Sequence, residues 1–373
     1  MKKIFFLTGT RADYGKIKPI LQILQKDKNF KVYLFITGMH MLPKFGSTKN
    51  IIFKENSNAS LITYKNQKYE EKLDKVLANT VDKLSKIFNQ IKPDLVITHG
   101  DRVETLATAI SSSFNNFLTC HIEGGEITGT IDEHIRHSVS KLAHIHFVSN
   151  IKAKNNLIKM GEDQKNIFVM GSPETDILFS KNLPNIKLVK ERYKINYNNY
   201  SIVLYHPITT NIEQFKYDLK KFVDLLKSLK RNFIIIYPNN DPGSEFIISE
   251  YKKISTKKEF RIIRSIRFEY YLTLLKNCDF IIGNSSSGVR EAPVYGVPTF
   301  NIGLRQNNRV SSESIFDFKY IDKKKIISSI NKYSQKRFKS KKNFGNGNVA
   351  SKIYNLLKKK TFWETSIQKY FNE

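Results

Sequence analysis

The chain has 373 residues, 40% of them hydrophobic, with 62 lysines and arginines against 34 acids and a formal net charge of +28. That length suits two domains of moderate size, and the composition excludes a disordered chain. The positive excess is compatible with nucleic acid, an anionic membrane face or a phosphorylated substrate. However, it is scattered lysine without the interleaved arginine and aromatic residues of a base-reading surface, so the expectation is a generally basic surface with no nucleic-acid partner.

Two cysteines, Cys120 and Cys278, lie beside apolar runs and read as buried thiols, with no metal-ligand spacing around them. The opening MKKIFFLTGTRADYG has too short an apolar run for a signal peptide. No stretch approaches the length of a membrane span, so the expectation is a cytoplasmic protein without a membrane partner.

In chain order, the first half offers strand candidates KIFFLTG (3–9), KVYLFITG (31–38), DLVITHG (94–100), FLTCHIEGG (117–125), HIHFVS (144–149) and NIFVMG (166–171). Between them Leu73, Val76, Leu77, Val81, Leu84, Ile87, Phe88 and Ile91 form one apolar stripe on a long helix. The polar stretch 180–200 then separates the halves. After it the pattern restarts with SIVLYHP (201–207), NFIIIYP (232–238), EFRIIRS (259–265), DFIIGN (279–284) and PTFNIG (298–303).

Short apolar strands alternating with amphipathic helices predict an α/β chain of two Rossmann-like, doubly wound domains with a cleft at the strands' carboxyl ends. The expected domains are residues 1–175, completed by a C-terminal helix over 360–373, and residues 176–359. The lysine-rich run 335–348 reads as a mobile loop.

Polar residues gather after the strands, where an open α/β sheet binds ligands. GTRADYGK (9–16) suits either a capped turn, with Asp13 near the cap, or an anion site using Arg11 and a helix N-terminus. GNSSSGVRE (283–291) favours a phosphate: small residues expose backbone N–H groups, three hydroxyls add donors, and Glu291 can accept from a ribose. Arg305 is a further charge candidate. His206, before Pro207, and Asn239, in YPNND, read by themselves as structural and as turn chemistry.

The chemical centre is HGDR (99–102) with HIEGGEITGTIDEHIRH (121–137). Asp101 and Glu123 end neighbouring strands, and Asp132 and Glu133 begin a helix whose N-terminus favours negative charge. His134 and His137 do not have the H-E-x-x-H spacing of a zinc site, so no metal is expected. A carboxylate cluster flanked by Arg102 and Arg136 suits proton transfer on a sugar nucleotide.

GTRADYGKIKP, HGDRVET, HIEGGEITGTIDEHIRHSVSKLAH, MGSPETD, YPNNDPGS and GNSSSGVREAPVYGVPTFNIGLRQ resemble the hydrolysing UDP-N-acetylglucosamine 2-epimerase family of sialic-acid biosynthesis, in the family's order and over most of the chain. The family's fold is similar to the metal-independent, two-Rossmann-domain (GT-B-like) glycosyltransferase architecture. Non-hydrolysing relatives typically open with a GTRPE-like segment and carry an HVEAG type; Arg11-Ala12-Asp13-Tyr14, Asp101-Arg102 and HIEGGE fit the hydrolysing branch.

The resemblance implies Asp101, Glu123 and Asp132 as catalytic acids, with His206 a further catalytic group at the leaving diphosphate. It implies nucleotide contacts from Arg11, Arg102, Asn239, the backbone at Ile266, Ser285, Ser286, Glu291 and Arg305. It also implies no cofactor, a UDP-sugar substrate and a homodimer or homotetramer. The family reaction eliminates UDP to a glycal and hydrates it to N-acetylmannosamine. Two alternatives share the fold or motifs: a 2-epimerase of a UDP- or GDP-linked 2,4-diacetamido-2,4,6-trideoxyhexose in legionaminic-acid synthesis, and a retaining glycosyltransferase.

Overall fold

A computed structural model describes residues 1–46, 48–69, 71–128, 131–208, 211–306 and 309–372. Its first sheet contains β1 (Lys2–Thr8), β2 (Phe30–Ile36), β3 (Ser60–Thr63), β4 (Leu95–His99), β5 (Thr119–Ile122), β6 (Ile145–Val148) and β7 (Ile167–Val169). The spatial order is β3-β2-β1-β4-β5-β6-β7, every pairing parallel. The second holds β8 (Ser201–Leu204), β9 (Phe233–Ile236), β10 (Phe260–Ile263), β11 (Ile281–Gly283), β12 (Thr299–Ile302) and β13 (Ile315–Phe318), parallel in the order β10-β9-β8-β11-β12-β13.

Strand order reverses between β1 and β4 and again between β8 and β11, the switch points at which such sheets open for ligands. Helices cover the faces, so central strands such as Ile145–Val148 are buried along their whole length and read as continuous apolar runs. β3 and β13 were not among the expected strands. Each pairs with one neighbour only, and SLIT and IFDF are half-exposed and mixed in polarity.

The striped segment forms the helix Leu73–Ile91, which packs Leu84, Ile87 and Phe88 against Phe5, Phe35 and Val96. It stops at Lys92, whose φ of 49° is left-handed, just before Pro93. Cys120 and Cys278 are free and buried. Among the described residues no helix is long and apolar enough to cross a membrane.

The chain divides into one unit of Met1–Glu126, Asp132–Ser180 and Phe344–Glu373 and another of Ile127–Ile131 and Lys181–Asn343. The return to the first unit thus begins at Phe344 rather than 360. Its cause is the helix Val349–Leu357, which buries Val349, Ile353 and Leu357 in the core beside Ile4, Ile17 and Leu21. The Asp176 carboxylate caps that helix, accepting from Val349 N at 2.7 Å and Ala350 N at 2.8 Å. Stretch 180–200 is likewise no bare linker, since it contains the helix Ile186–Tyr193. The run 335–348 is irregular but tied, with Phe338 N donating to Gly296 O at 2.9 Å and Lys341 N to Pro293 O at 3.0 Å.

In place of a helix over 360–373 there is a short 3₁₀ turn, Lys360–Glu364, followed by an extended tail held by side chains. Lys369 Nζ donates to Lys141 O at 2.8 Å and Ala143 O at 2.6 Å, at the carboxyl end of the helix Ile131–Leu142, and to Glu162 Oε2 at 2.6 Å. Glu162 also pairs with Lys141 and His146 at 2.7 and 2.9 Å. Burial alone would raise its pKa; the donors from His146, Lys141 and Lys369 outweigh burial and bring it to about 2.

Two outcomes follow from this packing. Glu162 is depressed in the fold, so its contribution is present above its ordinary value near 4.5 and disappears as pH falls toward about 2. The stability gap between wild type and Glu162→Gln, measured by thermal unfolding, should therefore narrow below pH 4.5; a constant gap contradicts the linkage. Gly283 has φ 144°, and a Cβ there would lie 1.9 Å from Leu204 O. Gly283→Ala should cost on the order of 3 kcal/mol in urea unfolding.

Candidate active site

In the first unit, register places His99 of β4 opposite Ile122 of β5, so Gly100-Asp101 and Glu123 leave adjacent strands side by side. Gly100 turns with φ 78°, and Glu123 adopts φ 68°, an uncommon conformation for a residue with a Cβ. Its N–H donates to Phe147 O at 3.0 Å, which ties the strained turn to β6. The Glu123 carboxylate is 5% exposed and contacts Ser172 Oγ, with Lys16 Nζ at 3.6 Å from Oε1 and His99 Nε2 at 3.6 Å from Oε2.

Asp101 is held by a different group. Its carboxylate pairs with Arg136, which is 1% exposed, donates to Glu126 O at 3.2 Å and lies 3.9 Å from Glu133 Oε2. Burial disfavours the guanidinium charge, but Asp101, Glu126, Glu123 and Asp132 outweigh it and hold its pKa above the ordinary value. Asp132 and Glu133 occupy the first turn of the helix Ile131–Leu142, where the helix dipole favours acids, and Arg136 follows one turn later on the same face. This guanidinium, more than a direct approach of one acid to another, joins the cluster.

The histidines of that stretch divide in role. His121 is buried between Gly100 O at 2.8 Å and Ser140 Oγ at 3.0 Å, and burial pushes its pKa down to about 3, so it is a neutral strut. His137 bonds Glu133 at 3.0 Å, and His134 is exposed. Among the described residues no group of His, Cys, Asp and Glu is arranged to hold a metal ion.

Thr10 and Asp13 form a capping box on the helix Arg11–Leu24, with Asp13 accepting from Gly9 N and Thr10 N at 2.9 Å. Asp13 is therefore the cap, and Arg11 stands partly exposed at the first helical position. Arg102 precedes the helix Val103–Phe114, with Nε 3.4 Å from the buried carboxylate of Glu104. That carboxylate occupies the space beside Gly38, where a Cβ would lie 2.7 Å from it and 2.6 Å from Gly9 O.

In the second unit one amide organises the switch point. Asn284, fully buried, accepts from His206 N at 2.7 Å and donates to His206 O at 2.9 Å, while its own carbonyl accepts from Arg305 and Gln306 at 3.3 Å each. His206 Nδ1 in turn accepts from Asn239 N at 3.4 Å, which leaves Nε2 the protonated nitrogen of a neutral ring. So Asn284 joins His206, and through it Asn239, by its side-chain amide, and Arg305 by its backbone carbonyl.

Of the three expected hydroxyls, Ser287 turns inward onto Tyr271, and Ser285 Oγ accepts from Ser287 N at 3.3 Å. Ser286, preceding the helix Ser287–Arg290, makes no side-chain cap bond. That helix is a single turn, passing into the 3₁₀ turn Ala292–Tyr295 at Pro293. Glu291 is buried, and after burial itself its charge is the largest influence raising the Tyr271 and Tyr295 phenols. Ile266 is buried between β10 and the helix Phe268–Asn277.

His99, Lys16, Ser172, Glu174 and Asn284 carry no signal of their own in the sequence, although each falls inside one of the motifs. Their types are ordinary, and only register and crossover place them against Glu123 or His206. Replacing Arg136 by lysine supplies charge without the planar fork that serves Asp101 and Glu126 O together. Turnover of Arg136→Lys should drop by about 100-fold with the fold retained by circular dichroism; wild-type turnover refutes the positioning role.

A family model described as UDP-N-acetylglucosamine 2-epimerase matches residues 22–358. A UDP-N-acetylglucosamine 2-epimerase of Neisseria meningitidis serogroup B is 41% identical over 375 residues, covering 100% of this chain and 99% of its own. A Legionella pneumophila protein named UDP-N,N'-diacetylbacillosamine 2-epimerase (hydrolyzing) is 30% identical over 363 residues, 96% of each chain. Among solved structures, Methanocaldococcus jannaschii UDP-GlcNAc 2-epimerase in complex with UDP-GlcNAc and UDP matches with a TM-score of 0.81 at 22% identity, over 96% of this chain and 99% of the other. The Neisseria meningitidis enzyme bound to UDP-GlcNAc gives 0.79 at 21% identity, over 95% and 99%. Both share the two-domain α/β, GT-B-like fold.

Proposed function

Because this chain belongs to the UDP-N-acetylglucosamine 2-epimerase family, we propose that it is the hydrolysing form, converting UDP-N-acetylglucosamine and water to N-acetylmannosamine and UDP for sialic-acid synthesis. The observation that carries this reading is Glu123, a carboxylate set at a strained turn beside Lys16 and His99 and next to the Arg136-bound Asp101. Relatives named as hydrolysing, at 30% identity over nearly the whole chain, support the water-consuming branch.

In this reading UDP leaves the anomeric carbon while Glu123 removes the proton at C2. That C–H bond is a poor acid, so departure of UDP leads and the ring passes through an oxocarbenium-like state, as in glycoside hydrolysis. The anionic charge of Asp101, held in place by Arg136, stabilises the positive charge that develops. Asp132 assists addition of water to the resulting glycal. Arg11, Arg102, Ser285, Ser286 and Arg305 bind the diphosphate. His206 presents Nε2–H to the leaving oxygen, and Glu291, Asn239 and the Ile266 backbone hold the nucleoside.

Incubation with UDP-N-acetylglucosamine in deuterated water should yield UDP and N-acetylmannosamine bearing deuterium at C2. Glu123→Gln should lower turnover by about 10² to 10⁴ with UDP affinity unchanged. UDP-N-acetylmannosamine as product would select the non-hydrolysing reaction. Turnover of a 2,4-diacetamido-trideoxy sugar nucleotide alone would select the other substrate class.

A further inference from the structure

The segment MGSPETD follows β7 and takes no part in the scheme above, yet it backs directly onto Glu123. Ser172 Oγ is in hydrogen-bonding contact with both Glu123 Oε1 and Glu174 Oε2. A serine hydroxyl donates one proton. The hydroxyl thus bridges the two carboxyl groups and can donate to either one.

Each member is fixed and shielded. Ser172 is fully buried, Glu174 is 1% exposed, and Ser172 N donates to Phe344 O at 2.7 Å while Thr175 Oγ1 donates to Ser172 O at 2.6 Å. Lys16 Nζ lies 3.6 Å from Glu123 Oε1 and 3.5 Å from Glu174 Oε2, so negative charge is favoured almost equally at either end. His99 also faces Glu123, from its opposite oxygen, and the charges of Glu123 and Arg136 interact as well. Lys16, placed between the two carboxyl groups, thus does not by itself hold a proton on either one.

We propose that Ser172 and Glu174 form a proton relay behind Glu123, an inference that rests on the reading that Glu123 takes the C2 proton. When the C2–H bond breaks, its electron pair becomes the C1–C2 π bond, the C1–O pair leaves with UDP, and the proton bonds to Glu123. Glu123 passes this proton to Ser172 Oγ as the Ser172 hydroxyl proton moves to Glu174. Glu123 is then a carboxylate again within the same turnover. It takes the proton of the water whose oxygen bonds to C1, while C2 receives a solvent proton delivered through Asp132; as products leave, the proton on Glu174 returns through Ser172 and Glu123, and both protons pass to solvent.

Rapid-quench measurement of UDP formation from UDP-N-acetylglucosamine separates this role from a structural one. Glutamine at 174 keeps a donor for Ser172 but cannot accept its proton. Glu174→Gln should therefore form the first UDP, one per active site, within about threefold of the wild-type rate. It should then turn over at least about tenfold more slowly, with the glycal accumulating and KM within about twofold. Ser172→Ala should show the same burst, and Glu174→Asp should restore part of the steady-state rate. The relay is overturned if either variant keeps the wild-type steady state, or if the first turnover slows as much as later ones. Absence of UDP from the wild type overturns the functional reading, and the relay with it, and is distinguished from failure of the relay alone by the wild-type control.

Discussion

Arg136 is buried almost completely, and a guanidinium in that position is tolerable only with its charge matched. Asp101, the Glu126 carbonyl and the nearby carboxylates of Glu133, Glu123 and Asp132 meet that demand. The pairing reaches from the loop after β4 to the helix Ile131–Leu142, so the orientation of that helix and the placing of the acids at its start are one problem with one solution. The tail reinforces it from the far end, where Lys369 binds the carbonyls of Lys141 and Ala143.

The two units solve the switch-point problem with different chemistry. In the first, charges compensate one another: Arg136 with Asp101, Arg102 with Glu104, Lys16 with Glu123 and Glu174. In the second, a neutral amide, Asn284, holds His206 and the Arg305 segment through directional hydrogen bonds. Acids gathered under compensating cations suit a unit that moves protons. A neutral scaffold built on directional bonds suits an anionic ligand.

Central strands of both sheets were legible because burial on both faces demands unbroken apolar runs, as in Leu95–His99 and Phe233–Ile236. Edge strands β3 and β13 were not, since an edge strand has one partner and tolerates the serine and threonine of SLIT and the aspartate of IFDF. The C-terminal return was misplaced for a related reason. Amphipathic periodicity in Val349–Leu357 shows that a face must be buried but not against which sheet, and the deciding contacts are with Ile17 and Leu21, far away in sequence.

The sequence by itself determined the α/β alternation and the gathering of polar residues at the strands' carboxyl ends, because periodicity and local turn chemistry are properties of neighbouring residues. Which partner each acid acquires was decided only by tertiary structure. Lys16 reaches Glu123 from the helix Arg11–Leu24 and Ser172, with Glu174 behind it, from the segment after β7, and no spacing along the chain encodes a contact made by folding. Asp13 shows the same division from the other side: its capping role is local and readable from GTRAD, whereas Asp101 waits for a helix that begins thirty residues later.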